Sequence, residues 1–260
     1  MIMVTFDFGR KNFVVVGASS GIGRQVALEL SRSGANVLAI GRNLERLDAL
    51  RQASPVSLIK HPPRIFTEQL DVTTATADEW SAVLENFTSA VGKINGGVYT
   101  AGIWGLTPLN AFDVQLAHKI FDTSFWGAVN FVQASTRKRF ALEGSSFVVM
   151  SSIAGDFAGK SLFAYSAAKA AIQTAVKSFA SELVRGKHRI NSVAPAIVKT
   201  EMLQNELFAE SDKLLSRHLL GLSTPFDVAG MILFLLSERA ALITGQNFFV
   251  DGGYVVGSFE

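Results

Sequence analysis

Tyr165 and Lys169 stand four residues apart in a stretch whose apolar spacing predicts a helix over 164–184, so both side chains lie on one helix face. An ammonium there favours a phenolate and lowers the phenol's pKa, which pairs a proton donor with a group that tunes it. The spacing alone also fits an ordinary surface pair. Ser152 adds weight, because it stands just past a predicted strand at 146–150, and parallel α/β sheets place ligand sites beyond the carboxyl ends of their strands. A second cluster is Gly17-Ala18-Ser19-Ser20-Gly21-Ile22-Gly23, directly after the β-branched run 13–16 and at the opening of a helix. Bare backbone N–H groups in such a turn can approach a pyrophosphate at a positive helix end. Its spacing is Gly-x-x-x-Gly-x-Gly, which also fits a tight strand-to-helix connection.

The elements that must position these residues alternate along the chain. Strands are predicted at 13–16, 36–40, 65–70, 94–99, 146–150, 189–193 and 247–250, and helices at 23–33, 44–53, 77–91, 112–138, 164–184 and 225–236. Repeated βαβ units of this kind build a parallel sheet. The expected fold class is therefore α/β: a single Rossmann-type, doubly wound domain over 1–260, with a seven-stranded parallel sheet flanked by helices on both faces. Ser54-Pro55 and His61-Pro62-Pro63 bracket a loop, and the apolar-rich stretch 200–222 breaks the alternation as an inserted lid would.

Composition narrows the function. Twenty-four basic against 22 acidic side chains leave +2, too balanced for a protein that holds a polyanion by charge, so no nucleic-acid partner is expected. Two basic clusters, 137–139 and 185–189, stand at predicted helix ends; they read as solvated ends or as docking points for an anionic substrate. The chain has no cysteine, and its four histidines, at 61, 118, 188 and 218, are not paired at ligand spacing, so no metal is expected. The longest apolar run, 228–236, is about half of what a membrane-spanning helix needs. No membrane association and a cytoplasmic location are the corresponding expectations.

Over nearly its whole length the chain resembles the classical short-chain dehydrogenase/reductase family. The resemblance rests on ordered motifs: the loop Gly17 to Gly23, Asp71-Val72 after the third strand, Thr100-Ala101-Gly102 after the fourth, Ser152 placed 13 residues before Tyr165, Lys169, the run Asn191 to Pro195, and the C-terminal run Val250-Asp251-Gly252-Gly253. The resemblance implies that Tyr165 donates a proton to a carbonyl oxygen, that Ser152 orients and polarises that carbonyl, and that Lys169 holds ribose hydroxyls. It further implies a nicotinamide dinucleotide along Gly17, Ser19, Ser20, Gly21, Ile22, Gly23, Asn43, Val72, Ala101, Gly102 and Pro195. Val198 and Thr200 would hold its carboxamide, although Thr200 could instead cap a helix. Asp71 would accept from the adenine amino group or else cap the next turn.

Cofactor choice turns on Gly41-Arg42-Asn43, where similar proteins that use NAD carry an acidic residue. A missing carboxylate plus a guanidinium, with Ser19 nearby, favours NADP(H) over NAD(H), unless Arg42 is simply a solvated arginine opening a helix. Four positions depart from the family: Val16 for threonine, Tyr99-Thr100 for two asparagines, Ser124 for the asparagine that anchors a water feeding protons to the lysine, and Ala196 for glycine. Ser124 is kept in the catalytic set beside Ser152, Tyr165 and Lys169. Trp104, Phe157, Phe163 and Met202 stand where the family builds its substrate walls, which suggests an apolar ketone or a 3-oxoacyl-type substrate, as a carbonyl or as the matching alcohol. The competing readings are an NAD-linked alcohol dehydrogenase and a non-catalytic dinucleotide-binding sensor or scaffold. A dimer or tetramer of identical subunits is expected, because the family packs the counterparts of 112–138 and 164–184 across subunit interfaces.

Overall fold

The computed structural model of the chain describes residues 6–53, 64–201 and 216–259. The predicted loop between Ser54 and Pro63 lies outside the described residues, as do Met202 and most of the expected lid. Seven parallel strands, β1 (Asn12–Val16), β2 (Asn36–Gly41), β3 (Ile65–Gln69), β4 (Ile94–Tyr99), β5 (Ala141–Met150), β6 (Arg189–Pro195) and β7 (Asn247–Val250), form one sheet in the order β3-β2-β1-β4-β5-β6-β7. Each strand faces two helix layers, so alternate residues go to opposite cores. Phe13 and Val15 of β1 pack with one cluster, Val14 and Val16 with the other.

Helices α1 (Gly21–Arg32), α2 (Leu44–Gln52) and α7 (Pro225–Leu236) cover one face, and α3 (Ala77–Val91), α5 (Gly127–Ser135) and α6 (Phe163–Leu183) cover the other. Helix α4 (Val114–Phe121) packs on α6. Local chemistry sets several starts. The Asn43 side chain accepts from Arg46 N at the head of α2, and Thr76 and Glu79 cap α3 reciprocally, each side chain accepting from the other's backbone N–H.

The predicted helix over 112–138 is not continuous. A π-helical turn, Asp122–Trp126, separates α4 from α5, and Gly127 N donates to the carbonyl of Asp122, five residues back. The apolar stripe is compatible with either winding, so periodicity missed the extra residue. The basic clusters are structural for the most part. Arg137 and Arg139 both donate to Ser81 Oγ, Lys187 pairs with Glu143, and the buried Arg189 guanidinium donates to the carbonyls of Ser237 and Ile243. Arg137 and Arg139 precede β5 and Arg189 opens β6, at the amino ends of strands whose carboxyl ends carry the cavity. An anion-docking role next to that cavity is therefore not available to them.

The register brings the carboxyl ends of three strands level. Val16 stands opposite Ile40 on one side and Tyr99 on the other, at the point where the strand order reverses between β1 and β4. A crevice opens there, because the chains leaving β1 and β4 turn to opposite faces of the sheet.

Candidate active site

A cavity of about 590 Å³ runs along this crevice. At its floor the loop from Gly17 to Gly23 passes so close to the end of β4 that side chains do not fit. A Cβ on Gly17, whose φ is +83°, would stand 2.6 Å from Ala101 N, and one on Gly23 would collide with the carbonyl of Gly17. The helix that follows begins at Gly21, two residues earlier than its periodicity predicts, and Ser20 makes no side-chain cap to its first turn. The backbone N–H groups of that turn face the cavity with a positive helix end behind them. Thr100 occupies the space the two glycines leave: its Oγ1 donates to the Val16 carbonyl at 2.7 Å.

Ser152, Tyr165 and Lys169 converge on the cavity from the end of β5 and the first two turns of α6. Ser152 is buried; its Oγ accepts from Ala154 N at 3.2 Å and lies 3.5 Å from the Pro195 carbonyl. Lys169 is also buried, donates to the Met150 carbonyl at 3.1 Å, and holds Nζ 5.6 Å from the centre of the Tyr165 ring. Tyr165 keeps part of its surface open to the cavity. The sequence predicts that the ammonium lowers the phenol's pKa, and here the structure differs. Burial pushes the phenol above the ordinary tyrosine range, opposed by a side-chain hydrogen bond with Ser152. Burial likewise brings Lys169 down to about 8. Desolvation acts on both groups and disfavours both charges, which spacing on a helix cannot reveal.

Ser124 does not line the cavity. Its side chain is buried in the π turn, with Oγ lacking a hydrogen-bond partner. That Oγ and Lys169 Nζ are each 3.4 Å from the point where a Cβ on Gly102 would stand. The serine thus neighbours the lysine from behind the cavity wall, and Thr123 takes the wall position instead.

At the other end, Arg42 lies within 4.0 Å of Asp71, with both side chains on the cavity. Asp71 Oδ1 accepts from Thr73 N and Thr73 Oγ1, which is the turn-capping role. Burial works to raise its carboxyl, but the Thr73 hydrogen bonds, then Arg42 and Lys119, outweigh that and hold it below the usual range. Ser19, Ser20, Ile22, Asn43, Val72, Ala101, Gly102, Pro195, Val198 and Thr200 all line the same cavity, and the Thr200 methyl approaches Gly21.

Of the predicted substrate walls, Trp104 and Phe157 line the cavity. Phe163 does not: it is exposed at the start of α6 and packs on Phe112, ring centres 5.3 Å apart, because Tyr165, two residues on and about 200° around the helix, takes the side that faces the crevice. Several lining residues lie outside the predicted set, three of them polar groups far apart in the chain. Arg46 and Glu201, both on the cavity rim, pair at 2.6 Å between α2 and the segment after β6, and Tyr254 enters from the C-terminal turn. Arg46 had a local signal as the next cation after Arg42, and Glu201 falls within the predicted lid at 200–222. Among the described residues no helix is long and apolar enough to cross a membrane.

A crevice at a strand-order reversal, floored by a glycine turn and bordered by serine, tyrosine and lysine, defines a nucleotide-binding α/β fold with a polar reaction corner. Residues 17–255 match the family model described as enoyl-(acyl carrier protein) reductase. The chain is 30% identical to a 3-oxoacyl-(acyl-carrier-protein) reductase of Thermotoga maritima, over 94% of this chain and 97% of that one. It is 34% identical to an L-rhamnose 1-dehydrogenase (NAD(P)(+)) of a Sphingomonas species, over 95% and 96%. A solved short-chain type dehydrogenase/reductase from Mycobacterium ulcerans superposes with a TM-score of 0.86 at 30% identity, covering 97% of this chain and 92% of that one. The chain belongs to the classical short-chain dehydrogenase/reductase family of oxidoreductases.

Proposed function

We propose that the protein is an NADPH-dependent carbonyl reductase. The observation that carries this reading is the convergence of Ser152, Tyr165 and Lys169 at one end of a cavity that holds Arg42 at the other. The residues fit a dinucleotide: a Cβ would fill the cradle at Gly17 and Gly23, and the first turn of α1 offers uncapped N–H groups beside it. When bound, the nicotinamide supplies the hydride.

The chain's own residues supply the rest. Ser152 Oγ donates to the substrate oxygen and fixes its place next to the phenol. Tyr165, which burial keeps protonated, gives its proton to that oxygen as negative charge grows there. Lys169 would hold ribose hydroxyls of the bound dinucleotide and, buried 5.6 Å from the centre of the Tyr165 ring, would pass a proton toward it. Val198 and Thr200 would hold the carboxamide, Asp71 would meet the adenine, and Arg42 would meet a 2′-phosphate with no competing carboxylate at 41–43.

Ile103, Trp104, Phe157 and Leu162 supply an apolar wall, in keeping with an apolar ketone or a 3-oxoacyl-type substrate, the latter being what the Thermotoga relative's name states for that protein. Exposed Leu109, Phe112 and Trp126 around α4 and α5 support a homo-oligomer. The test is a stopped-flow titration with NADPH followed by a ketone and 3-oxoacyl thioester panel. Turnover with NADPH on at least one member is expected, and tight binding with no turnover across the panel overturns the reading.

A further inference from the structure

Tyr99 ends the central strand β4 and is buried, 1% exposed, beneath the π turn. Its phenol donates to the Thr123 carbonyl at 2.5 Å. In a regular α-helix that carbonyl accepts from the N–H four residues on, which here belongs to Gly127. The π turn has taken that donor away, since Gly127 N donates to Asp122 instead. A buried carbonyl without its usual partner costs about 1 to 3 kcal/mol, so a replacement donor decides whether the wider winding persists. Tyr99 is that donor. Its reach depends on Gly127, where a Cβ would stand only 2.1 Å from the phenol oxygen. Burial among Phe131, Trp80 and the strand core pushes the phenol's pKa up, so it remains a donor at any working pH.

The turn has a consequence at the reaction corner. Thr123 lies on the cavity wall, and the next residue, Ser124, places its partnerless Oγ at the same 3.4 Å from the Gly102 position as Lys169 Nζ. Rewinding the turn as α-helix shifts every following side chain by about 100° around the axis, and would carry this hydroxyl away from the lysine.

We propose that Tyr99 is a positioning residue: its hydroxyl, holding the Thr123 carbonyl, maintains the π turn that keeps Ser124 beside Lys169. The catalytic part of this rests on the reading of Lys169 and Tyr165 given above. Two departures from the family pattern, Tyr99 and Ser124, thereby belong to one device.

The test is Tyr99→Phe, which keeps the ring and removes the donor. Amide hydrogen exchange at residues 123–128 should accelerate about tenfold or more in the protein without substrate. On an accepted ketone, kcat should fall about tenfold while both KM values stay within twofold, a split that general loosening of the core does not produce. Ser124→Ala should lower kcat similarly, and the double variant should lose little more than either single one. Unchanged exchange, or full multiplicative loss in the double variant, overturns the proposal. Should Tyr99→Phe not fold, Gly127→Ala displaces the phenol from the other side and must give the same exchange and kcat signature. Tyr165→Phe is measured alongside: if it keeps full turnover the catalytic reading falls, and exchange alone then upholds or overturns the tether.

Discussion

Lys169 Nζ lies 5.6 Å from the centre of the Tyr165 ring, and burial moves the two groups in opposite directions, the phenol up and the ammonium down to about 8. The pair is thus poised with its proton on the tyrosine. That arrangement suits proton donation to an oxygen.

Tyr165→Phe retains the ring and deletes the proton. Turnover of any accepted ketone should fall by roughly 10²- to 10⁴-fold, with NADPH affinity within a few-fold. Steady-state kinetics beside a fluorescence titration separates the two effects. Retention of more than half of the turnover would show that the proton comes from elsewhere.

Lys169→Met should stabilise the free protein near neutral pH and progressively less as the pH rises. The wild-type lysine has a folded pKa of about 8 against 10.5 ordinarily, so between those values the unfolded chain binds more protons and wild-type stability climbs with pH. Below about 8 both states carry the charge and the folded one bears its full desolvation cost. The gain should be largest below that value and shrink toward 10.5, read as the difference in urea midpoints of the two proteins across the range. A pH-independent difference would mean that the buried ammonium is fully solvated by groups around it.

Arg42→Ala should weaken NADPH at least tenfold, about 1.4 kcal/mol, while NADH changes less than twofold. Calorimetric titration at moderate salt decides it. Equal weakening of both cofactors assigns the guanidinium to the shape of the Asp71 turn, 4.0 Å away, and not to the phosphate.

Gly23→Ala tests the cradle without any change of backbone class, since only its added methyl meets the Gly17 carbonyl. Loop and helix must separate to admit it. A loss of about 1 to 3 kcal/mol in stability is expected, together with at least tenfold weaker NADPH binding. Denaturation and fluorescence titration on the same preparation check the pair of effects.

Much of this molecule is local in origin. The alternation of β-branched runs with amphipathic stretches determined the doubly wound sheet, because the central strands are buried on both faces and the covering helices bury one face each. Short-range motifs likewise located the glycine loop, Ser152, Tyr165 and Lys169, since each sits at a strand end or on one helix turn that its neighbours define. Tertiary structure decided what depends on distant partners. At the π turn a phenol from β4 meets the Thr123 carbonyl, 24 residues on, a contact that no local periodicity reveals. The Arg46–Glu201 pair spans 155 residues, and Tyr254 comes to the cavity from the opposite end of the chain. Phe163 turned outward although its type suited a wall, because once the fold aims Tyr165 at the crevice the residue two positions earlier, about 200° around the helix, faces away and meets Phe112. Proton affinity is the clearest case. Spacing brings Lys169 to Tyr165, but only the depth at which the fold buries them determines that desolvation, not their mutual attraction, governs which one holds the proton.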